Sequence, residues 1–135
     1  MRMLAGAAMA ALAALALSSC IVHVRPTHSL AAPDSTQPAA GICGDAEAGD
    51  VATFTLKIDT PQPRCGKVRA DQLLRVVNGT ASPITVTFDG SNYQLAPSDS
   101  LTFTETFGSI WQPGVHDLYT SLYGGGGPEI WLVPG

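Results

Sequence analysis

Apolar residues along this chain follow two regimes. From Met3 to Leu17 they form an unbroken run, and from about residue 50 onward they alternate with polar ones. A period of two puts successive side chains on opposite faces of a strand, so the second regime predicts sheet. In Val51 to Ile58, Ala52, Phe54, Leu56 and Ile58 alternate with Thr53, Thr55 and Lys57, and Pro61 and Pro63 then break the run. A second strand is expected over Gln72 to Val77, ending at the Asn78-Gly79 turn signal. A third covers Ile84 to Phe88, with Ile84, Val86 and Phe88 facing in, and Asp89-Gly90-Ser91-Asn92 turns the chain into a short fourth around Tyr93 and Leu95. In the fifth, Leu101, Phe103 and Phe107 alternate with threonines, although Glu105 interrupts the inward face. The sixth runs from about Val115 to Tyr123, where Leu118 and Leu122 make the better core side, and Gly124 to Gly127 lead into a seventh over Glu129 to Val133. About seven short strands, with turn signals every eight to twelve residues or so and no helix-period stretch, predict an all-β domain: an antiparallel Greek-key β-sandwich over residues 42–135.

The first regime has a different meaning. Arg2 precedes the apolar run, whose length of about fifteen residues suits a signal peptide and falls short of the roughly twenty needed to span a bilayer. The run ends in Leu17-Ser18-Ser19-Cys20. This tetrapeptide resembles the lipobox of bacterial lipoproteins. The resemblance implies that residues 1–19 are removed, that a diacylglyceryl group is attached to the Cys20 thiol, and that the mature protein sits on a cell membrane or envelope, facing away from the cytoplasm. An ordinary secretory signal cleaved after Ser18 or Ser19 would leave Cys20 as an odd thiol, and an uncleaved anchor is the other alternative. Residues 20–41 read as the lipidated cysteine followed by a tether rich in Ala, Pro, Ser and Thr, with Pro26, Pro33 and Pro38 spaced along it. About twenty such residues would hold the domain roughly 25 Å from the membrane. His23 and His28 fall inside the tether and read as solvated.

Two cysteines remain, Cys43 and Cys65. Disulfides persist outside the cytoplasm, and pairing these two leaves Cys20 for lipid. The crosslink would close a loop of about 23 residues and contribute about 3 kcal/mol in the chain-entropy model. Zinc is the competing reading, but two cysteines without a nearby histidine make a poor site. From Cys20 onward six Lys and Arg face eleven Asp and Glu, a net charge of −5. That balance, without a basic stripe interleaved with aromatics, excludes a nucleic-acid partner.

A second likeness covers about half the chain. Asn78 through Pro83, Val86 and Phe88, then Leu95-Ala96-Pro97-Ser98-Asp99-Ser100 and Pro113-Gly114-Val115, are similar in strand and turn spacing to a cupredoxin. The resemblance implies a cupredoxin-like sandwich, with an immunoglobulin-like one as the alternative. It would place copper ligands at Ile84, near Thr120 and in the Gly124-Gly125-Gly126-Gly127-Pro128 hairpin, none of which offers a ligating side chain. The likeness therefore implies fold alone, with no metal and no cofactor.

Other chemistry is sparse. His116-Asp117 is the single adjacent histidine and carboxylate in the domain, but neighbours in a strand face opposite ways, so a structural histidine is expected. The glycine run lacks the Lys-Ser or Lys-Thr of a phosphate loop. Asn78-Gly79-Thr80 satisfies a glycosylation sequon but is already explained as a turn. Arg64, Lys67, Arg69 and Arg75 could meet an anion or simply charge a strand edge. Trp111, Tyr119, Tyr123 and Trp131 gather near the C-terminus, where exposed aromatics could grip a glycan or an envelope protein, or else close the core. The expectation is a non-enzymatic, lipid-anchored domain serving in binding or envelope structure.

Overall fold

The computed structural model describes residues 29–135 apart from Gly125. The expected signal peptide, Cys20, His23 and His28 lie outside the described residues. The fold is all-β, with strands β1 (Val51–Leu56), β2 (Cys65–Val68), β3 (Leu73–Asn78), β4 (Ile84–Phe88), β5 (Ser91–Leu95), β6 (Ser100–Thr106), β7 (Gly114–Asp117), β8 (Tyr119–Thr120) and β9 (Glu129–Leu132), and one helical turn, α1 (Phe107–Ile110), after β6. They form three three-stranded sheets in the orders β1-β3-β6, β2-β9-β7 and β5-β4-β8. All three sheets feed one hydrophobic core, which includes Phe54, Leu56, Leu74 and Val76 from the first, Val68, Ile130 and Leu132 from the second, and Ile84, Val86, Phe88 and Leu95 from the third.

The pairing corrects the expectation of an antiparallel fold. β1 runs parallel to β3 and β2 parallel to β9, while the other four pairings are antiparallel. Hairpin logic holds only where a tight turn joins consecutive strands, as Asp89-Gly90 joins β4 to β5. β1 and β3 are instead separated by β2, which belongs to another sheet, and such a crossover permits parallel pairing.

Local pattern explains most strands. β4 alternates β-branched or aromatic core residues with threonines, and its burial alternates in step. Ile58 was expected inward but is 70% exposed, because β1 ends at Leu56 and the chain doubles back so that Gln62 pairs with Thr55. In β6 the register slips: Leu73 and Arg75, two positions apart on β3, face Thr106 and Thr102, four apart. The extra residues break the alternation, so Glu105 is exposed and Phe107 returns to the core on α1.

The expected sixth strand is two. The chain leaves β7, which pairs with β9, and enters β8, which pairs with β4, crossing between sheets at Leu118. Leu118 is 1% exposed and donates its N–H to Pro128 O at 3.0 Å. Gly127 packs against this crossing so closely that a Cβ there would lie 1.7 Å from Leu118 O.

Residues 31–40 are not a free tether. Ala31 bridges Trp111 and Ser35 bridges Val115, so this segment lies as a strap on the outer edge of β7. Asp34 Oδ2 accepts the Asp117 N–H at 2.8 Å, and the Glu129 carboxylate accepts the N–H groups of Ala39 and Ala40 at 2.8 and 2.7 Å. Composition hid the strap because it docks through backbone groups and two carboxylates rather than through an apolar face. The strap passes so close to Gly114 that a Cβ there would meet Pro33 at 2.4 Å, and the φ of +136° also requires glycine. Beyond the strap, Cys43 is disulfide-bonded to Cys65, and Gly44 exchanges hydrogen bonds with Cys65 and Lys67 along the edge of β2.

Candidate functional site

The four aromatics singled out in the sequence do not form one patch. Trp111 is 7% exposed and sits in a ring cluster, 5.4 Å from Phe88, 5.5 Å from Phe107 and 4.2 Å from the His116 ring, which is stacked parallel to it. Trp131 is half-buried on β9, with Lys67 Nζ 5.8 Å over its ring. Tyr123 is half-buried, and its hydroxyl clamps Lys57, accepting from the backbone N–H at 3.0 Å and donating to the carbonyl at 2.5 Å. Tyr119 alone is well exposed, at 52%. A sequence cannot tell these roles apart, because a buried and an exposed aromatic satisfy the same strand pattern.

The concave features flank the strap. The larger cleft, of about 640 Å³, lies between the strap, the segment after β1 and the glycine hairpin, and it takes in Asp59, Arg64, Tyr123 and Glu129. The smaller, of about 310 Å³, lies between the strap and the β4–β5 turn and takes in Phe88, Asp89, Trp111, His116 and Tyr119. Asp34 and Asp117 belong to both and form the partition between them.

Negative charge concentrates along this partition. Asp117 and Glu129 are direct partners across β7 and β9, an unfavourable like-charge pair. The two strap amides neutralise Glu129 in part, whereas the Asp117 side chain has no hydrogen bond among the described residues. Burial, then the charges of Asp34 and Glu129, push the Asp117 carboxyl above its ordinary range, against a smaller opposite effect of His116. The Tyr119 hydroxyl is raised as well, chiefly by Asp34.

His116 and Asp117 do not hydrogen-bond to each other. His116 is 3% exposed, and its Nε2–H donates to Gln112 O at 2.8 Å. The basic residues are dispersed: Arg69 binds Asp71 and the carbonyls of Glu47 and Gly49, Lys67 pairs with Asp45, Arg75 reaches Ser100, and Arg64 lines the larger cleft. The sequon asparagine Asn78 is fully buried, and its amide ties together Thr80, Ser82, Leu95 and Ala96. No group of three or more His, Cys, Asp or Glu among the described residues is placed to hold a metal ion. Sequence reasoning missed Asp34, because it lay in the supposed tether, and Glu129, because a carboxylate at a strand start carries no signal of what it will bind. No protein-family model matches the chain, and no curated protein matches it.

Proposed function

We propose that this chain is a lipoprotein anchored through acyl chains on Cys20 at the extracytoplasmic face of a cell membrane or envelope. Its β-sandwich then serves as a binding or envelope-structure domain without catalytic activity, meeting an envelope protein or a glycan. The observation that carries the reading is the fate of the three cysteines. Cys43 and Cys65 are bonded to each other, which leaves Cys20, in the lipobox, as the remaining thiol. A disulfide in a small domain also suits a compartment outside the cytoplasm.

The strap adds a geometric consequence. The first described contact of the chain with the domain is at Leu30, whose carbonyl accepts from Gln112 Nε2, so at most about ten residues separate it from Cys20, and at full extension they reach no further than about 36 Å. An anchor on Cys20 would thereby hold the domain within that reach of the bilayer. Two or more acyl chains, at about 0.8 kcal/mol per buried CH₂, make such attachment stable where a single chain would be marginal. Metabolic labelling with a radioactive fatty acid, followed by detergent phase partition, tests the anchor. Wild-type protein is expected to carry label and enter the detergent phase, and Cys20→Ser to do neither. Equal partition of both into the aqueous phase, without label, would overturn the assignment.

A further inference from the structure

We infer that the smaller cleft, between the strap and the β4–β5 turn, is a binding site for a small organic ammonium ion. This names a ligand class for the binding role proposed above, and it stands independently of the lipid anchor. The first observation is an unused acceptor. The His116 ring is held by its stack on Trp111 and by the Nε2–H bond to Gln112 O, so in the neutral ring Nδ1 carries a lone pair. Nδ1 has no partner among the described residues. Among the described residues no buried side-chain nitrogen or oxygen is sealed away without a partner, so this atom opens to solvent, and His116 lines the cleft. A polar side chain 3% exposed, with one nitrogen left open at a cleft, is a built acceptor rather than a surface accident.

Charge selects the ligand. Asp34 and Asp117 line one side and Asp89 the other, and among the described residues no Lys or Arg lines this cleft. The Asp117 carboxyl, raised by burial and by its acidic neighbours, is in an environment that a bound cation would relieve. Aromatic surfaces of Trp111, Phe88 and Tyr119 complete the lining. The exposed Tyr119 ring offers a face that attracts an ammonium group. The buried Trp111 and Phe88 rings, whose faces are taken by His116, Phe107 and Phe103, present apolar edges that shelter its carbons, and the acceptors take the N–H donors. An anion meets three carboxylates here and is repelled. The volume of about 310 Å³ lies at the small end of ligand pockets, which limits the occupant to a short molecule.

Two tryptophans give the test its readout, since Trp111 lines the cleft and Trp131 does not. In detergent-solubilised full-length protein, Trp131→Phe leaves Trp111 as the reporter. Titration with putrescine, whose two ammonium groups suit carboxylates on both sides of the cleft, is expected to change its emission saturably, and succinate to leave it unchanged. Asp117→Asn, and His116→Phe, which keeps a ring on Trp111 but removes the acceptor, are each expected to weaken binding about tenfold, a loss typical of one polar contact to a charged ligand. Tyr119→Ala, at an exposed position, gives a second route should His116→Phe unfold, with an expected loss of about threefold. Cys20→Ser should bind like the parent, which separates failure of this site from failure of the anchor. No saturable response at millimolar putrescine would overturn the inference, as would equal affinity in the parent, Asp117→Asn and Tyr119→Ala.

Discussion

Replacing Asn78 with alanine should unfold this domain more readily than almost any other polar substitution. The side chain is fully buried at the end of β3. Its Nδ2 donates to Ser82 O at 2.8 Å, Leu95 O at 3.1 Å and Ala96 O at 3.2 Å, while Oδ1 accepts from the Thr80 N–H at 2.9 Å and the Thr80 hydroxyl at 2.8 Å. The amide thus fastens the β3–β4 turn to the segment after β5. Two amide hydrogens serve three carbonyls, so with the two contacts from Thr80 at most four bonds are fully made at once. Truncation leaves the Thr80 N–H and one or more carbonyls buried and unsatisfied, each costing about 1–3 kcal/mol, and removes the net gain of the bonds themselves. Partial relaxation and water entry reduce the sum, and a loss of about 3–5 kcal/mol is expected. Urea denaturation followed by far-ultraviolet circular dichroism, with parent and variant compared at equal slope, measures it. A loss below about 1 kcal/mol would refute the claim that this amide organises the turn. Thr80→Val, which removes the hydroxyl alone, should cost less, about 1 kcal/mol.

Three further substitutions probe the crossing and the strap. Gly127→Ala places a Cβ 1.7 Å from Leu118 O, so backbone must move, and a loss of at least about 2 kcal/mol is expected in the same assay; an unchanged midpoint would contradict the packing at the crossing. Glu129→Ala removes the acceptor of the Ala39 and Ala40 amides, so hydrogen exchange at those two positions should accelerate at least about tenfold while amides in β1 and β3 keep their protection. Asp117→Asn works in the opposite sense. A carboxyl raised in the folded state binds its proton more tightly there than when unfolded, so its penalty is absent below the unfolded value and grows as pH rises through the folded one. The variant should therefore be at least as stable as the parent at pH 7 and show a flatter decline in stability from acidic to neutral pH, and a clearly lower midpoint at neutral pH would count against this account.

How far the chain could be read depends on what kind of information each element carries. β4 was legible to the residue because Ile84, Val86 and Phe88 alternate with threonines between two turn signals. β1, β3, β6 and β9 were legible to within two residues at most of their ends, for the same reason. β2 was not, since Cys65-Gly66-Lys67-Val68 is too short to show a period and its basic neighbours suggest solvent. Parallel pairing of β1 with β3 and of β2 with β9 is a property of topology, and no local pattern encodes it. The disulfide partners were legible by count, because the lipobox reading reserved the third cysteine. The clefts were not, because both are built on Asp34 and the strap, and a backbone-paired segment rich in Ala and Pro looks like any solvated linker. Asn78 shows the same limit: Asn-Gly announces a turn, but nothing in two residues says that the asparagine will be the turn's buried hub.

The central claim is that Cys20 carries lipid while Cys43 and Cys65 hold each other. Mass spectrometry of protein purified from membranes of the native host, digested without reduction, tests both halves at once. The account predicts an N-terminal peptide beginning at Cys20 with a thioether-linked diacylglyceryl group, and a crosslinked peptide pair containing Cys43 and Cys65 that separates on reduction. An N-terminus beginning elsewhere, or an unmodified Cys20 thiol in protein released to the medium, would contradict it.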